Sequence, residues 1–196
     1  MGSGRVQSSP ADVARASAVE SPWRRAWPAA LAVLVAAGTV YGTSDGRDVA
    51  PMVAASGLVY LAASATGRRE AAWIAFGVTF VLIGLGKIIA FDATAWTLVL
   101  AAAFLAVGLT GRRAHPWWSF PLQSAAMLVL GVIAFLSPQV NATLGGLLVA
   151  AALLGHAAWD LYHHRTRRVV SRSLARFCGV LDVLVAVVVA VTTLAP

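Results

Sequence analysis

Seven long apolar runs, separated by short polar segments, account for most of this chain. None of them alternates between apolar and polar residues, as the strands of a membrane barrel do. Each is roughly 20 residues long, the length that lets a helix cross about 30 Å of hydrocarbon. The pattern therefore predicts an all-α integral membrane protein with seven transmembrane helices. The runs cover residues 27–42, 49–66, 71–90, 94–111, 117–136, 140–162 and 174–194.

The composition favours the same class of protein. Hydrophobic residues make up 59% of the sequence and charged residues 12%, with a mean hydropathy of +0.78, whereas a soluble domain carries about 25% charged residues. Residues 1–25 differ from the rest, because they are mostly small and polar with scattered arginines. We expect a disordered, basic cytoplasmic tail at 1–25 and one seven-helix transmembrane domain at 26–196.

The arginines predict the orientation of the helices. They concentrate in the N-terminal segment and after the second, fourth and sixth runs, whereas the other three connections contain one arginine, Arg47. Because basic loops remain in the cytoplasm, this bias places the N-terminus inside and the C-terminus outside. We expect a multi-pass protein of the cell membrane, in particular the bacterial inner membrane. The net charge of +7 then indicates contact with anionic lipid headgroups, and no nucleic acid is expected as a partner.

Two short patterns bear on assembly. Basic turns recur after successive helix pairs, as Gly-Arg-Arg at 67–69 and 111–113 and His-His-Arg at 163–165. This recurrence is compatible with repeated helical hairpins. Gly38 and Gly42 form a small-xxx-small pattern that lets helices approach closely. Helix faces of this kind can also pack between subunits, so the sequence is compatible with an oligomer.

Ionisable residues within the apolar runs concentrate near the C-terminus. His156, Asp160 and His163 are spaced by four and three residues, so one helix face carries all three. Asp182 lies in the next run, with Cys178 one turn before it. At 1.5 Å per residue, His156 lies roughly 9 Å and Asp182 roughly 12 Å from the cytoplasmic ends of their runs. Because the connecting loop is short, we expect these side chains to meet in the inner leaflet.

Three functions fit these residues, and the sequence leaves all three open. In the one we favour they are structural: a carboxylate on one helix bonds a histidine or an arginine on the next, and the protein is not an enzyme. In the second, His156, Asp160, Asp182 and Cys178 form the proton or ligand site of a small proton-coupled transporter, because histidine changes charge near neutral pH. In the third, the protein is a metal-dependent membrane enzyme. Its candidate zinc or iron ligands are His156, Asp160, His163 and Asp182.

The sequence points to no other chemistry. The single cysteine, Cys178, excludes an internal disulfide and a multi-cysteine zinc site. There is no nucleophile elbow, P-loop or dinucleotide fingerprint. We therefore predict no catalytic residue and no cofactor, with zinc or iron as the alternative just described.

The C-terminal third also carries a family resemblance. It reads His-Ala-Ala-Trp-Asp-Leu-Tyr-His-His-Arg at 156–165, then Val-Val-Ser-Arg-Ser at 169–173 and Phe-Cys-Gly-Val-Leu-Asp at 177–182. These stretches resemble a group of small bacterial polytopic membrane proteins to which no function is assigned. The hairpin rhythm of residues 123–155 is loosely similar to acid-stress membrane proteins of the HdeD type. Both resemblances imply a multi-pass helical protein, and neither implies catalytic residues.

Overall fold

The computed structural model describes residues 22–89, 91–111 and 116–195, and all regular structure in these ranges is helical. Seven α-helices follow one another, and two of their connections contain 3₁₀ turns, at Gly46–Val49 and Ser137–Gln139. The helices are α1 (Pro22–Val40), α2 (Ala50–Thr66), α3 (Ala71–Ile88), α4 (Ala93–Thr110), α5 (Ser119–Leu136), α6 (Ala142–Thr166) and α7 (Arg172–Leu194).

Counted with the 3₁₀ turns that adjoin α2 and α5, the helices α2 to α7 are each long and apolar enough to cross a membrane. The apolar part of α1 is the shorter stretch Ala26–Val40. The prediction of an all-α protein with several apolar spans is therefore confirmed. The helix α1 begins at Pro22, earlier than the first apolar run, so it overlaps the end of the tail predicted at 1–25. Residues 1–21 of that tail lie outside the described part of the chain.

The helix α2 occupies the centre of the bundle. Its candidate span is 83% buried by the rest of the protein, against 17–39% for the other five spans. It contacts α3, α4, α5 and α6. Small residues allow this crowding, since Gly57 lies directly against the backbone and thioether of Met127 on α5. A helix that is apolar on every face is expected at such a buried position.

The last two helices form the most extensive helix pair of the bundle, and the first helix packs along the last. At one end of α1, Trp27 stacks on Trp73 of α3 with ring centroids 5.7 Å apart. Trp73 in turn contacts Phe177 of α7 at 5.3 Å. These rings tie α1, α3 and α7 together at the end of the bundle where α1 begins.

At the opposite end, Arg47 connects the first interhelical segment to the start of α6. Its guanidinium donates a hydrogen bond to the carbonyl of Val140 at 2.8 Å and pairs with Asp45 at 2.7 Å. The bond from the Arg47 side chain holds the pKa of the Asp45 carboxyl below its usual value. Arg47, which the distribution of arginines places on the outer side of the membrane, thus has a structural role.

Gly145 is needed where α6 begins. A methyl group at this position would overlap the carbonyl oxygen of Ser137 and press on the side chain of Arg47. We expect Gly145→Ala to lower the free energy of unfolding by about 1–3 kcal/mol, because backbone overlap cannot be relieved by a rotamer change. The thermal unfolding midpoint in a fixed detergent measures the effect.

Gly155→Ala is the matched control on the same helix, because the space at Gly155 is open and no atom lies within 4 Å of the added carbon. This variant should be unchanged or more stable, since alanine favours a helix over glycine by up to about 1 kcal/mol. Equal midpoints for the two variants would contradict the packing described for the first turn of α6.

Candidate functional site

The ionisable residues lie deeper in the bundle than the sequence predicts. The sixth apolar run is predicted to end at residue 162, with a basic loop after it. The loop is shorter than this, because α6 continues through His163, His164 and Arg165 to Thr166. Basic side chains stabilise the C-terminal turn of a helix, and Arg167 ends this one in the left-handed conformation at φ 55°. His156 is therefore ten residues from the end of α6, about 15 Å along the axis instead of 9 Å.

His156, Asp160 and Asp182 come together as their positions predict, and we call them the His–Asp cluster. The Nδ1 atom of His156 lies 2.7 Å from Oδ2 of Asp182 and 3.3 Å from Oδ2 of Asp160. All three side chains are buried, with at most 5% of their surface exposed. Since Nδ1 carries one hydrogen, it donates to Asp182, and Asp160 gains only charge attraction from the ring.

A tyrosine that the sequence predictions do not include completes the arrangement. The hydroxyl of Tyr60 on α2 donates to Oδ1 of Asp160 at 2.6 Å, and Tyr60 is 1% exposed. Ser56, one turn earlier, lies 3.5 Å from Oδ1 of Asp182 while donating to the carbonyl of Met52 at 3.0 Å. Three helices therefore contribute to the site. The sequence does indicate a polar face on α2, because Ser56, Tyr60 and Ser64 recur every four residues in a mostly apolar helix.

His163 lies outside the His–Asp cluster, although it shares the buried face of α6. Its Nδ1 donates to the carbonyl of Trp159 at 3.1 Å. Its ring packs edge-on against Tyr60, with centroids 4.8 Å apart. Among the described residues, the atoms able to share one metal ion belong to His156, Asp160 and Asp182, within 4.8 Å of one another. The predicted metal-ligand set thus contracts from four residues to three.

Cys178 does not bond the cluster but lines the same cavity as Asp182. The cavity has a volume of about 350 Å³ and lies between α1, α2, α3 and α7. Asp182, Ser56 and Cys178 all contribute to its wall. The thiol is buried, with 5% of the residue exposed. Of the four residues predicted for a proton or ligand site, His156, Asp160 and Asp182 form the cluster, and Cys178 adjoins Asp182 through the cavity.

When all three groups of the cluster are ionised, their charges do not cancel. Two carboxylates face one imidazole, and the third partner, the Tyr60 hydroxyl, is neutral. With the imidazole protonated, one negative charge remains in surroundings of low polarity, where an uncompensated charge is costly. The arrangement can therefore hold an additional proton or attract a cation. The buried Nε2 of His156 makes no hydrogen bond to the described residues and offers a further polar atom.

Comparison with known proteins adds no assignment: no protein-family model, no curated protein and no solved structure matches this chain. The resemblances to small bacterial membrane proteins and to the HdeD type therefore stay predictions. Functional inference depends on the geometry of the cluster and its cavity.

The Tyr60 hydroxyl should be important for stability. Tyr60→Phe keeps the ring but leaves Oδ1 of Asp160 without its donor, so we expect the free energy of unfolding to fall by about 1.5–3 kcal/mol. Thermal unfolding in detergent measures this loss.

Tyr162→Phe is the matched control, because Tyr162 is 42% exposed and contributes ring contacts. It should change stability by less than about 0.5 kcal/mol. A Tyr60 variant as stable as this control would show that the short bond to Asp160 contributes nothing.

Proposed function

We propose that this chain is a non-enzymatic, multi-pass protein of the cell membrane whose His–Asp cluster, together with Tyr60, is a structural junction between helices. The observation that carries the proposal is the pairing of His156 with Asp182 across α6 and α7, both side chains being buried. Helices in lipid gain no hydrophobic driving force from contact with each other, so polar bonds and close packing must hold them. A junction that joins three helices supplies such bonds.

The proposed topology has seven spans with the N-terminus inside and the C-terminus outside. The arginine bias supports this orientation, and six long apolar helices support the spans. The helix α1 would be the seventh span, because its 19 residues reach about 28 Å. The arginines would contact anionic headgroups of a bacterial inner membrane. Repeated hairpins stay part of this proposal, supported by the recurrence of basic turns.

His156→Ala is the direct test of the structural role. It leaves two buried carboxylates facing each other without a donor between them, and breaking a buried ion pair costs about 3–5 kcal/mol. We expect a large drop in the unfolding midpoint in detergent. Asp182→Ala should cause a similar drop, because His156 then loses its shortest hydrogen bond.

The control is His164→Ala on the same helix, since the His164 side chain is partly exposed and its Nδ1 donates to the carbonyl of Arg172 at 3.3 Å. This variant should remain close to the wild type. If His156→Ala and His164→Ala have equal midpoints, the junction does not stabilise the fold and the proposal fails.

A second candidate, a small proton-coupled transporter, is favoured by one specific observation. Asp182 both bonds His156 and lines the cavity of about 350 Å³, so a proton-binding group adjoins a space that could hold a substrate. Asp182→Asn preserves the shape of the side chain while removing its charge. Proton flux is measured in proteoliposomes that contain a pH dye and carry a potassium diffusion potential. If the protein is such a transporter, the variant should show slower proton flux than the wild type at an unchanged unfolding midpoint. Equal flux for both proteins would remove this candidate.

The metal-dependent enzyme ranks third for a geometric reason. Tetrahedral zinc keeps its ligand atoms about 3.3 Å apart, wider than the 2.7 Å between Nδ1 of His156 and Oδ2 of Asp182. An ion would have to displace the proton shared by these two atoms. Stoichiometric zinc or iron in the purified wild type, absent from Asp182→Ala, would nevertheless replace the structural proposal with this one.

A further inference from the structure

The cavity beside Asp182 opens sideways between two helices. The helices α1 and α3 line it but have no extended contact with each other, while α2 and α7 form its back wall. Leu34 on α1 and Phe80 on α3 stand at the opening, 71% and 52% exposed. Because both belong to apolar helices, the opening faces the perimeter that lipid would cover. An apolar molecule could enter from the bilayer without crossing water.

Both ends of this opening are closed by specific contacts. At one end the Lys87 ammonium donates to the carbonyls of Gly38, Thr39 and Tyr41, at 3.2, 2.5 and 3.2 Å. These are carbonyls at the C-terminal end of α1, which attract a positive charge. At the other end Trp27 stacks on Trp73. These contacts bound the gap between α1 and α3 at its two ends.

The lining of the cavity is mostly apolar and contains one carboxylate, that of Asp182. Most of its lining is aliphatic or aromatic, and its hydroxyls are already engaged: those of Thr39, Ser56 and Thr79 each donate to a carbonyl of their own helix. Lys87 uses its three hydrogens on α1. The hydroxyl oxygens can still accept a hydrogen bond, but Asp182 is the acidic residue of the lining, and its Oδ1 has only the distant Ser56 at 3.5 Å.

We propose that this cavity binds small lipophilic amines, with the ammonium paired to Asp182 and the hydrocarbon part filling the space between α1 and α3. The ammonium would offset the surplus negative charge of the His–Asp cluster and donate to Oδ1 of Asp182. The volume is within the range of pockets that hold small molecules. This inference goes beyond the structural junction and does not depend on it, because the cluster can hold the helices together whether or not the cavity is filled.

The test uses three probes with the same eight-carbon chain: octylamine, octan-1-ol and octanoate. Radiolabelled octylamine is titrated onto the full chain in nanodiscs, with binding to empty nanodiscs subtracted. We expect saturable binding of one octylamine molecule per protein. Octanol and octanoate should displace it only at concentrations at least about tenfold higher than unlabelled octylamine requires, because neither forms the ion pair. Equal displacement by octanol would show a plain apolar pocket, and stronger displacement by octanoate would assign the anchor to Lys87; either result overturns the proposal.

Two glycines on α3 provide matched variants. Neither Gly84 nor Gly77 has an atom within 4 Å of an added carbon, so both should accept a side chain and fold, but only Gly84 lines the cavity. Gly84→Leu should weaken octylamine binding about tenfold or more, whereas Gly77→Leu should leave it unchanged. In Asp182→Asn the preference for octylamine over octanol should disappear. Octylamine binding that survives Gly84→Leu, or a preference that survives Asp182→Asn, would overturn the assignment.

Discussion

In the proposed junction, the bond between His156 and Asp182 is the interaction on which the arrangement of the last two helices depends. Its donor and acceptor come from different helices and are excluded from solvent. In such surroundings an isolated charge is strongly disfavoured, so neither side chain is tolerated well without the other. The register and rotation of α6 against α7 are therefore fixed by a requirement for charge compensation as well as by packing. Tyr60 extends the same requirement to α2 through Asp160.

This polar requirement acts within a bundle that is otherwise assembled from small residues. Gly57 brings α5 against α2, and Gly145 brings the start of α6 against the preceding turn. Close packing and the buried polar bonds reinforce each other, because a helix that approaches closely leaves little room for water around Asp160 and Asp182. The cavity beside Asp182 is the exception, and it exists because α1 packs along α7 without closing onto α3.

Much of the architecture follows from the sequence, since bilayer thickness sets the length of apolar runs and the observed helices match those runs. The meeting of His156 with Asp182 also follows, because a short loop makes adjacent helices neighbours. The predicted end of α6 at 162 lies four residues early, because the histidines and Arg165 suit a loop and also stabilise a helix end. Tyr60 was missed because its contact depends on the central position of α2, which is a tertiary property. The many alanine, glycine and serine residues of α2 are the feature of the sequence that indicates this central position.

The pairing of the first helix with the last has a consequence for biogenesis. During synthesis α1 emerges long before α7, its extended packing partner, and the Asp160 carboxylate enters the bilayer before Asp182 arrives to share the His156 proton. A charged carboxylate in an inserting helix is costly, up to about 2.5–3.5 kcal/mol at the helix centre. The nascent chain therefore passes through an intermediate in which α1 lacks its extended packing partner and the charge of Asp160 on α6 is incompletely compensated. The arrival of α7 supplies the packing partner of α1 and the Asp182 partner of His156.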